Sequence, residues 1–80
     1  MPAVTVLLFA SLRESAGASR VEVEASTVGG LLTTLAERHG EGFARAAALG
    51  SVIVDGERVG PERALRGGEE VAILPPVSGG

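Results

Sequence analysis

The first apolar run of the chain has the pattern of a buried β-strand. Residues 4–10 are aliphatic or β-branched apart from one phenylalanine and carry no charge, which predicts a strand. Successive strand side chains point to opposite faces, so one face carries Val4, Val6 and Leu8 and the other carries Thr5, Leu7 and Phe9. Because both faces are largely apolar, this strand is predicted to lie at the centre of a sheet.

A second strand is predicted over residues 20–25, in which valine and glutamate alternate: Val21, Glu22, Val23 and Glu24. This pattern is typical of a strand with one buried and one exposed face. Residues 11–18 are interpreted as a loop with a turn at Gly17. Its short length predicts that the two strands form a hairpin.

The centre of the chain has helical periodicity, with one stripe formed by Val28, Leu31, Leu32, Leu35 and His39. Ser26 or Thr27 is a suitable N-cap, and Gly40 is suited to end the helix. His39 is the only histidine in the sequence and has no partner pattern nearby. It is interpreted as a structural or solvent-facing residue in the last turn of the helix.

A short second helix is predicted over residues 42–49, which are rich in alanine, with Phe43 and Leu49 as its anchors in the core. Asp55-Gly56 follows between two β-branched segments and is a strong signal for a two-residue hairpin turn. The strands of this hairpin are predicted at Ser51–Val54 and Glu57–Val59.

The final strand is predicted at residues 70–74, where Val71 and Ile73 face one way and Ala72 and Leu74 the other. Ahead of it, Leu65 is predicted to fill the core and Gly67-Gly68 to form a tight turn.

This order of elements predicts an α+β protein with a ubiquitin-like β-grasp. We expect a mixed sheet of four to five strands, one main helix and a short second helix. The first and last strands are expected to be parallel neighbours at the centre of the sheet, joined through the helix.

Two prolines follow the last strand. Pro75 lacks a backbone N–H and cannot extend a sheet ladder, and two prolines in series favour a stiff, extended exit. The sequence therefore predicts a domain of residues 1–74 and an extended tail, Pro75-Pro76-Val77-Ser78-Gly79-Gly80. Gly79 and Gly80 have no side chain, so this end suits a narrow channel in a partner, where an ionised Gly80 carboxylate is open to adenylation.

The length, charge and amino-acid composition of the chain exclude some classes of function but do not define one. Eighty residues suit a single small domain, and the net charge of −3 argues against a nucleic-acid partner. The chain has no cysteine, and its seven basic residues are all arginine, so it offers neither a thiol nor a lysine amine. No signal peptide or membrane-spanning run is visible, and we expect a cytoplasmic protein with no membrane partner.

The sequence also lacks the patterns of an enzyme active site. It contains no catalytic dyad, metal-ligand cluster or phosphate-binding loop with its lysine. The glycine pairs Gly29-Gly30 and Gly67-Gly68 are interpreted as requirements of backbone geometry. The sequence therefore offers no pattern for a side-chain active site.

Three stretches of the chain match a known family. They are Val6 to Glu14 with Gly17, then Thr27-Val28, then Leu65, Gly68 and Glu69 to Ala72 followed by the tail with its double proline before Val-Ser-Gly-Gly. The last of these stretches is the most specific. On these residues the chain resembles the small subunit of molybdopterin synthase, a ubiquitin-like sulfur carrier of the MoaD/ThiS family. The resemblance covers nearly the whole chain.

The resemblance implies a role as a carrier that is not catalytic on its own and binds no cofactor. On this resemblance, we expect an ATP-dependent activating enzyme to form an acyl-adenylate on Gly80, and a sulfurtransferase to supply the sulfur that displaces AMP and leaves a thiocarboxylate. The tail residues 75–79 are then expected to insert into the large synthase subunit, in a heterotetramer. There the sulfur is expected to pass to a cyclic pyranopterin monophosphate, as part of molybdenum cofactor biosynthesis.

Strand alternation places Phe9 and Leu74 on the sheet face opposite the helix, beside the root of the tail. An exposed apolar pair there is a candidate docking patch for partners, and the resemblance places docking residues at the same two positions.

Three other functions fit the same sequence. The chain could carry sulfur for thiamine, cysteine or methionine synthesis, or be a ubiquitin-like modifier joined through Gly80 to lysines of other proteins. It could also be a β-grasp interaction module with an idle tail.

Overall fold

The structure is a computed structural model that describes residues 1–76; Val77, Ser78, Gly79 and Gly80 lie outside the described residues. Residues 1–76 contain, in chain order, the following elements: β1 (Ala3–Leu8), α1 (Ala10–Ala16), β2 (Arg20–Glu24), α2 (Val28–His39), α3 (Glu41–Leu49), β3 (Ser51–Val54), β4 (Glu57–Val59) and β5 (Glu70–Leu74).

The strands form one mixed sheet in the order β2-β1-β5-β3-β4. β1 and β5 are parallel neighbours, with Leu8 opposite Ile73, while β1–β2, β3–β5 and β3–β4 are antiparallel pairs. This confirms the predicted α+β class, the ubiquitin-like β-grasp and the parallel pairing of the first and last strands. β5 lies in the middle, so the chain leaves the domain from the centre of the sheet.

The core lies between one face of the sheet and the helices. The predicted inward residues of the two central strands are buried: Val4, Val6, Leu8, Val71 and Ile73. Leu31, Leu35 and Phe43 meet them from the helical side and are also fully buried. Each such side chain contributes about 1.5–3 kcal/mol of burial free energy, so this aliphatic layer holds β1 and β5 in a fixed register.

Residues 11–18, predicted as a loop, instead contain most of α1. Its single buried side chain is Leu12, and one buried residue in seven gives no periodic stripe to detect. The helix ends at Gly17, which has a left-handed φ of 74°. β1 and β2 do pair in antiparallel fashion, but a helix rather than a short hairpin loop connects them.

α2 has the predicted cap and stripe. The side-chain oxygen of Thr27 accepts a hydrogen bond from the Gly30 N–H at 3.1 Å, which satisfies one of the free amides of the first turn. The helix ends at Gly40. The His39 ring packs against Phe43 with 5.2 Å between ring centroids, so His39 belongs to the α2–α3 contact, as its structural interpretation requires.

The prediction of Leu49 as a core anchor of α3 was wrong. α3 buries Phe43 and Ala47, which lie four residues apart and therefore on one side of the helix. Leu49 follows Ala47 by two residues, about 200° further around the helix, and its side chain is 68% exposed.

Candidate functional site

The tail begins where β5 stops pairing with its neighbours. Leu74 lies opposite Ser51 of β3 in the last pair of that ladder. Pro75 is half-buried and Pro76 is exposed, and neither belongs to a strand. The two prolines thus end the sheet at its central strand, at the edge toward which β1 and β5 both run.

The root of the tail passes directly over the connection between α3 and β3. A β-carbon placed on Gly50 would lie 1.9 Å from the Leu74 carbonyl oxygen and 3.1 Å from Pro75 Cα. The backbone of the tail root is therefore packed on the backbone at Gly50, with no side chain between them. The described part of the tail is packed against the domain at this point.

Phe9 and Leu74 lie beside this root. Phe9 directly follows β1 and keeps an extended backbone, with φ −127° and ψ 151°, so the strand alternation continues through it. Leu74 is the last residue of β5, and the two residues follow the Leu8–Ile73 pair on adjacent parallel strands. Their side chains are 42% and 38% exposed, which places both on the outer face of the sheet, as the alternation predicts.

The apolar surface continues from Phe9 and Leu74 across the outer face. One row of paired residues runs through all five strands, in the order Arg20, Leu7, Ala72, Ile53 and Arg58. The three apolar members are half-buried, and the arginines at the two ends are exposed. The end of the outer face nearest the tail is therefore apolar in the centre and positively charged at its sides.

The opposite end of the outer face is acidic. Thr5 of β1 lies between Glu22 and Glu70, and Asp55 accepts a hydrogen bond from the Glu70 N–H at 3.1 Å. The net charge of −3 is therefore unevenly distributed over the protein. On the outer face, the end next to the tail root is less acidic than the opposite end. This polarity favours one orientation of a docked partner.

The glycine pair Gly29-Gly30 does not form a free anion site. The Val28 N–H donates to the Arg63 carbonyl at 2.9 Å and the Gly29 N–H to the Pro61 carbonyl at 2.8 Å. A β-carbon on Gly29 would lie 3.2 Å from the same Pro61 oxygen. These first-turn amides of α2 therefore already donate hydrogen bonds to other parts of the backbone. Close packing against Pro61 explains why position 29 is a glycine.

Gly67-Gly68 forms the turn into β5. Both residues have left-handed φ values, 110° and 84°, which glycine adopts without strain. The Glu69 carboxylate accepts hydrogen bonds from the Arg66 N–H at 2.8 Å and the Gly67 N–H at 2.7 Å. These bonds, with that of Arg66 the stronger influence, hold the pKa of the Glu69 carboxyl below its usual 4.5.

Within residues 1–76 no three metal-ligating side chains form a group that could hold an ion. No helix in the same range has the length and apolar character needed to cross a membrane. The tail root is surrounded by the backbone at Gly50, the exposed side chains of Phe9 and Leu74, and Ser51 opposite Leu74. This arrangement is suited to presenting the tail to a partner.

A β-grasp domain whose central strand continues into a Gly-Gly end has the architecture of a ubiquitin-like carrier. The sequence model of the ThiS family matches residues 6–80, so the chain belongs to the ThiS family, the ubiquitin-like sulfur carriers of the MoaD/ThiS type. No match was found among curated proteins.

Solved structures of this type are similar over almost their full length. The putative molybdopterin converting factor, subunit 1, from Pyrococcus furiosus is 28% identical with a TM-score of 0.84, covering 96% of this chain and 100% of that one. SAMP1 from Haloferax volcanii is 32% identical with a TM-score of 0.79, covering 98% and 99%. CysO, in the BexX/CysO complex from Amycolatopsis orientalis, is 31% identical with a TM-score of 0.80, covering 96% and 99%.

The sequence did not identify every residue of this site. Ile53 could have been placed on the outer face, because it alternates with Val52 and Val54. Arg20 and Arg58 join the apolar row only through the pairing of strands distant in sequence, and no local pattern indicates that. Gly50 could not be distinguished from an ordinary glycine that ends a helix.

Proposed function

We propose that the chain is the sulfur-carrying small subunit of a molybdopterin synthase, and that its reactive atom is carried on Gly80. The observation that carries this proposal is the combination of the double-proline tail with full-length likeness to the molybdopterin converting factor subunit from Pyrococcus furiosus. The membership of the ThiS family supports the carrier role. The assignment to the molybdopterin pathway is more specific than the carrier role, and the sequence of the tail favours it.

The first reaction activates the chain end. A Gly80 carboxylate oxygen attacks the α-phosphorus of ATP on an activating enzyme, the bond from that phosphorus to the bridging oxygen breaks, and pyrophosphate leaves. The product is an acyl-adenylate. A sulfurtransferase then delivers sulfur at the oxidation level of sulfide, which adds to the acyl carbon. The carbon–oxygen bond to AMP breaks, AMP leaves, and a thiocarboxylate remains, with no net oxidation or reduction.

The second reaction uses this sulfur in the large synthase subunit. The thiocarboxylate is a better nucleophile than the original carboxylate, and its sulfur attacks a side-chain carbon of a cyclic pyranopterin monophosphate. The bond from that carbon to its oxygen substituent breaks, and the oxygen leaves with the electron pair. Water then adds to the acyl carbon, the acyl–sulfur bond breaks, the Gly80 carboxylate is regenerated and the sulfur stays on the pterin as a thiolate. Two charged carriers are consumed for each dithiolene. The acid–base groups and the phosphate-binding groups belong to the large subunit in this proposal.

The described residues contribute docking and reach. Phe9 and Leu74 present exposed apolar surface beside the tail root, and burial of such residues at the centre of an interface supplies a large share of binding energy. Six residues follow Leu74, and a chain of that length spans at most about 20 Å. In this arrangement the domain docks through the outer face of its sheet, and only the tail enters the channel of the partner.

Reconstitution tests the pathway directly. The chain is first charged with ATP, an activating enzyme and a sulfide source, then mixed with a molybdopterin synthase large subunit and the cyclic pyranopterin monophosphate. We expect formation of the dithiolene product, and none with a chain that lacks Gly80. A charged carrier that docks on the large subunit and yields no product contradicts the molybdopterin assignment while leaving the carrier role intact.

A second function is favoured by two of the similar structures. SAMP1 is by its name a small archaeal modifier protein, and CysO was solved with a different partner, BexX. Both are slightly more identical to this chain than the molybdopterin relative is. Attachment of Gly80 to lysines of other proteins, or sulfur delivery to another pathway such as cysteine or thiamine synthesis, uses the same adenylate. Lysine-linked adducts recovered from cells by mass spectrometry identify the first, and product formation with the corresponding synthase identifies the second.

A further inference from the structure

The connection between α3 and β3 has no room for a side chain at Gly50. A β-carbon there would lie 1.9 Å from the Leu74 carbonyl oxygen, 3.0 Å from its carbonyl carbon and 3.1 Å from Pro75 Cα. The backbone angles of Gly50, φ −94° and ψ −155°, lie outside the left-handed region, so its conformation is not what demands glycine. Glycine is required at position 50 because the peptide that joins β5 to the tail leaves no space for a side chain.

We propose that Gly50 is a positioning residue that sets the line along which the tail leaves the domain; this inference rests on the proposed carrier function. Its neighbour Ser51 pairs with Leu74, so the two backbones are already held together on one side of the contact. The atoms that approach Gly50 are backbone atoms and cannot rotate away as a flexible side chain would. A methyl group at position 50 therefore requires the two backbones to separate by roughly 1 Å, since β-carbons do not approach other atoms within 3.0 Å.

A displacement at this point changes the rate of reaction more than the strength of docking. Six residues follow Leu74, and a chain of that length can extend about 20 Å, so a small rotation at its root grows along the tail. Phe9 and Leu7 belong to the β1 side of the docking surface, and the atoms nearest Gly50 are backbone atoms of Leu74 and Pro75 rather than the Leu74 side chain. The body therefore docks nearly as before, while the reacting carboxylate is misplaced, and a misplacement of about 1 Å can cost about 100-fold in rate.

The test compares Gly50→Ala with Gly42→Ala. Gly42 lies in the same α3 segment, and a β-carbon there meets nothing within 4 Å, so the control adds the same methyl group without the contact. Steady-state thiocarboxylate formation is measured with ATP, an activating enzyme and sulfide. We expect kcat to fall about 10- to 100-fold in Gly50→Ala with KM changed less than about threefold, and Gly42→Ala to match the wild type. Equal kcat values for the two variants overturn the inference.

A second readout follows the tail itself and needs no turnover. The chain has no cysteine, so Ser15→Cys on the exposed side of α1 accepts a single nitroxide label. Paramagnetic broadening of the Gly79 and Gly80 amide signals then reports how near the tail passes to α1. We expect the broadening to change in Gly50→Ala and to stay at the wild-type value in Gly42→Ala; an unchanged pattern in Gly50→Ala contradicts the inference.

The wild-type protein supplies a check that survives if Gly50→Ala does not fold. The packing of Pro75 on Gly50 predicts a nuclear Overhauser effect between the Hα protons of these two residues, and its absence overturns the inference. These two spectroscopic measurements are independent of charging. If the wild type is never charged on Gly80, the proposed function fails, while the Gly50–Pro75 contact and the broadening pattern still decide the positioning role.

Discussion

Phe9 and Leu74 lie at the same end of two adjacent parallel strands, one residue beyond the Leu8–Ile73 pair, and both side chains are about two-fifths exposed. The parallel pairing of β1 and β5 creates this relationship, because it brings two residues that are 65 positions apart in the chain to the same end of the two central strands. The burial of Leu8 and Ile73 on the opposite face fixes the outward direction of their successors. The exposed pair and the tail root thus share one rigid support.

Alanine substitution of Phe9 and of Leu74 tests the docking surface. Each variant is expected to weaken binding to the activating enzyme and to the large subunit by about 1–2 kcal/mol, or about 5- to 30-fold in Kd. Isothermal titration calorimetry measures this. Because both side chains are already partly exposed, the thermal midpoint is expected to change little.

Leu32→Ala is the matched control for these variants. Leu32 is a partly buried leucine on the helical side of the sheet, so its truncation removes similar apolar surface from the face that does not dock. It is expected to lower stability and leave both binding constants unchanged. Phe9→Ala and Leu74→Ala variants that fold normally and bind both partners as tightly as the wild type would falsify the docking assignment.

Thr27→Ala removes the N-cap of α2. The lost hydrogen bond to the Gly30 N–H is expected to cost about 1 kcal/mol, which lowers the thermal midpoint by about 4–8 °C for a domain of this size. Thr33→Ala is the control in the same helix, since its exposed hydroxyl bonds the Gly29 carbonyl four residues earlier. Its effect is expected to stay within about 0.5 kcal/mol. Equal losses in the two variants contradict the capping role.

Glu69 gives the domain a dependence on pH with a defined sign. Hydrogen bonds from the Arg66 N–H, and after it the Gly67 N–H, lower the pKa of the folded-state carboxyl from its usual 4.5. A group with a lowered folded-state pKa stabilises fully above the unfolded-state value, and this contribution is lost as pH falls through the folded-state value. The wild type is therefore expected to be more stable than Glu69→Gln above about pH 5, with the difference shrinking below about pH 4.5.

Urea unfolding of wild type and Glu69→Gln across this range checks the prediction. The internal control is the acidic end, where the protonated carboxyl and the amide are both neutral and the two curves converge. Stability curves that remain parallel down to pH 3 show that the turn does not depend on the charge of Glu69.

The sequence predicted the fold through features that are local and periodic. Alternation in β1 and β5, the Thr27 cap and the Asp55-Gly56 turn all act within a few residues, and each was confirmed. α1 was missed because Leu12 alone of its residues is buried. Leu49 was misplaced because its hydrophobicity was taken for burial, whereas Phe43 and Ala47 fix the rotation of α3.

The candidate site depends more on contacts between distant parts of the chain. Phe9 and Leu74 could be placed on one face from alternation, given the correct strand pairing. Gly50 could not be assigned, since its close approach to Leu74 and Pro75 exists only after β3 pairs with β5. The chemistry proposed for Gly80 rests on the tail sequence and the family, and its direct test is chemical.

Intact-mass analysis after incubation with ATP, an activating enzyme and a sulfide source is the most direct test of the central claim. We expect a mass increase equal to the replacement of one oxygen by sulfur, located by fragmentation on Gly80 and lost when Gly80 is deleted. A chain that docks on its activating enzyme but keeps an unmodified Gly80 under these conditions contradicts the proposed carrier function.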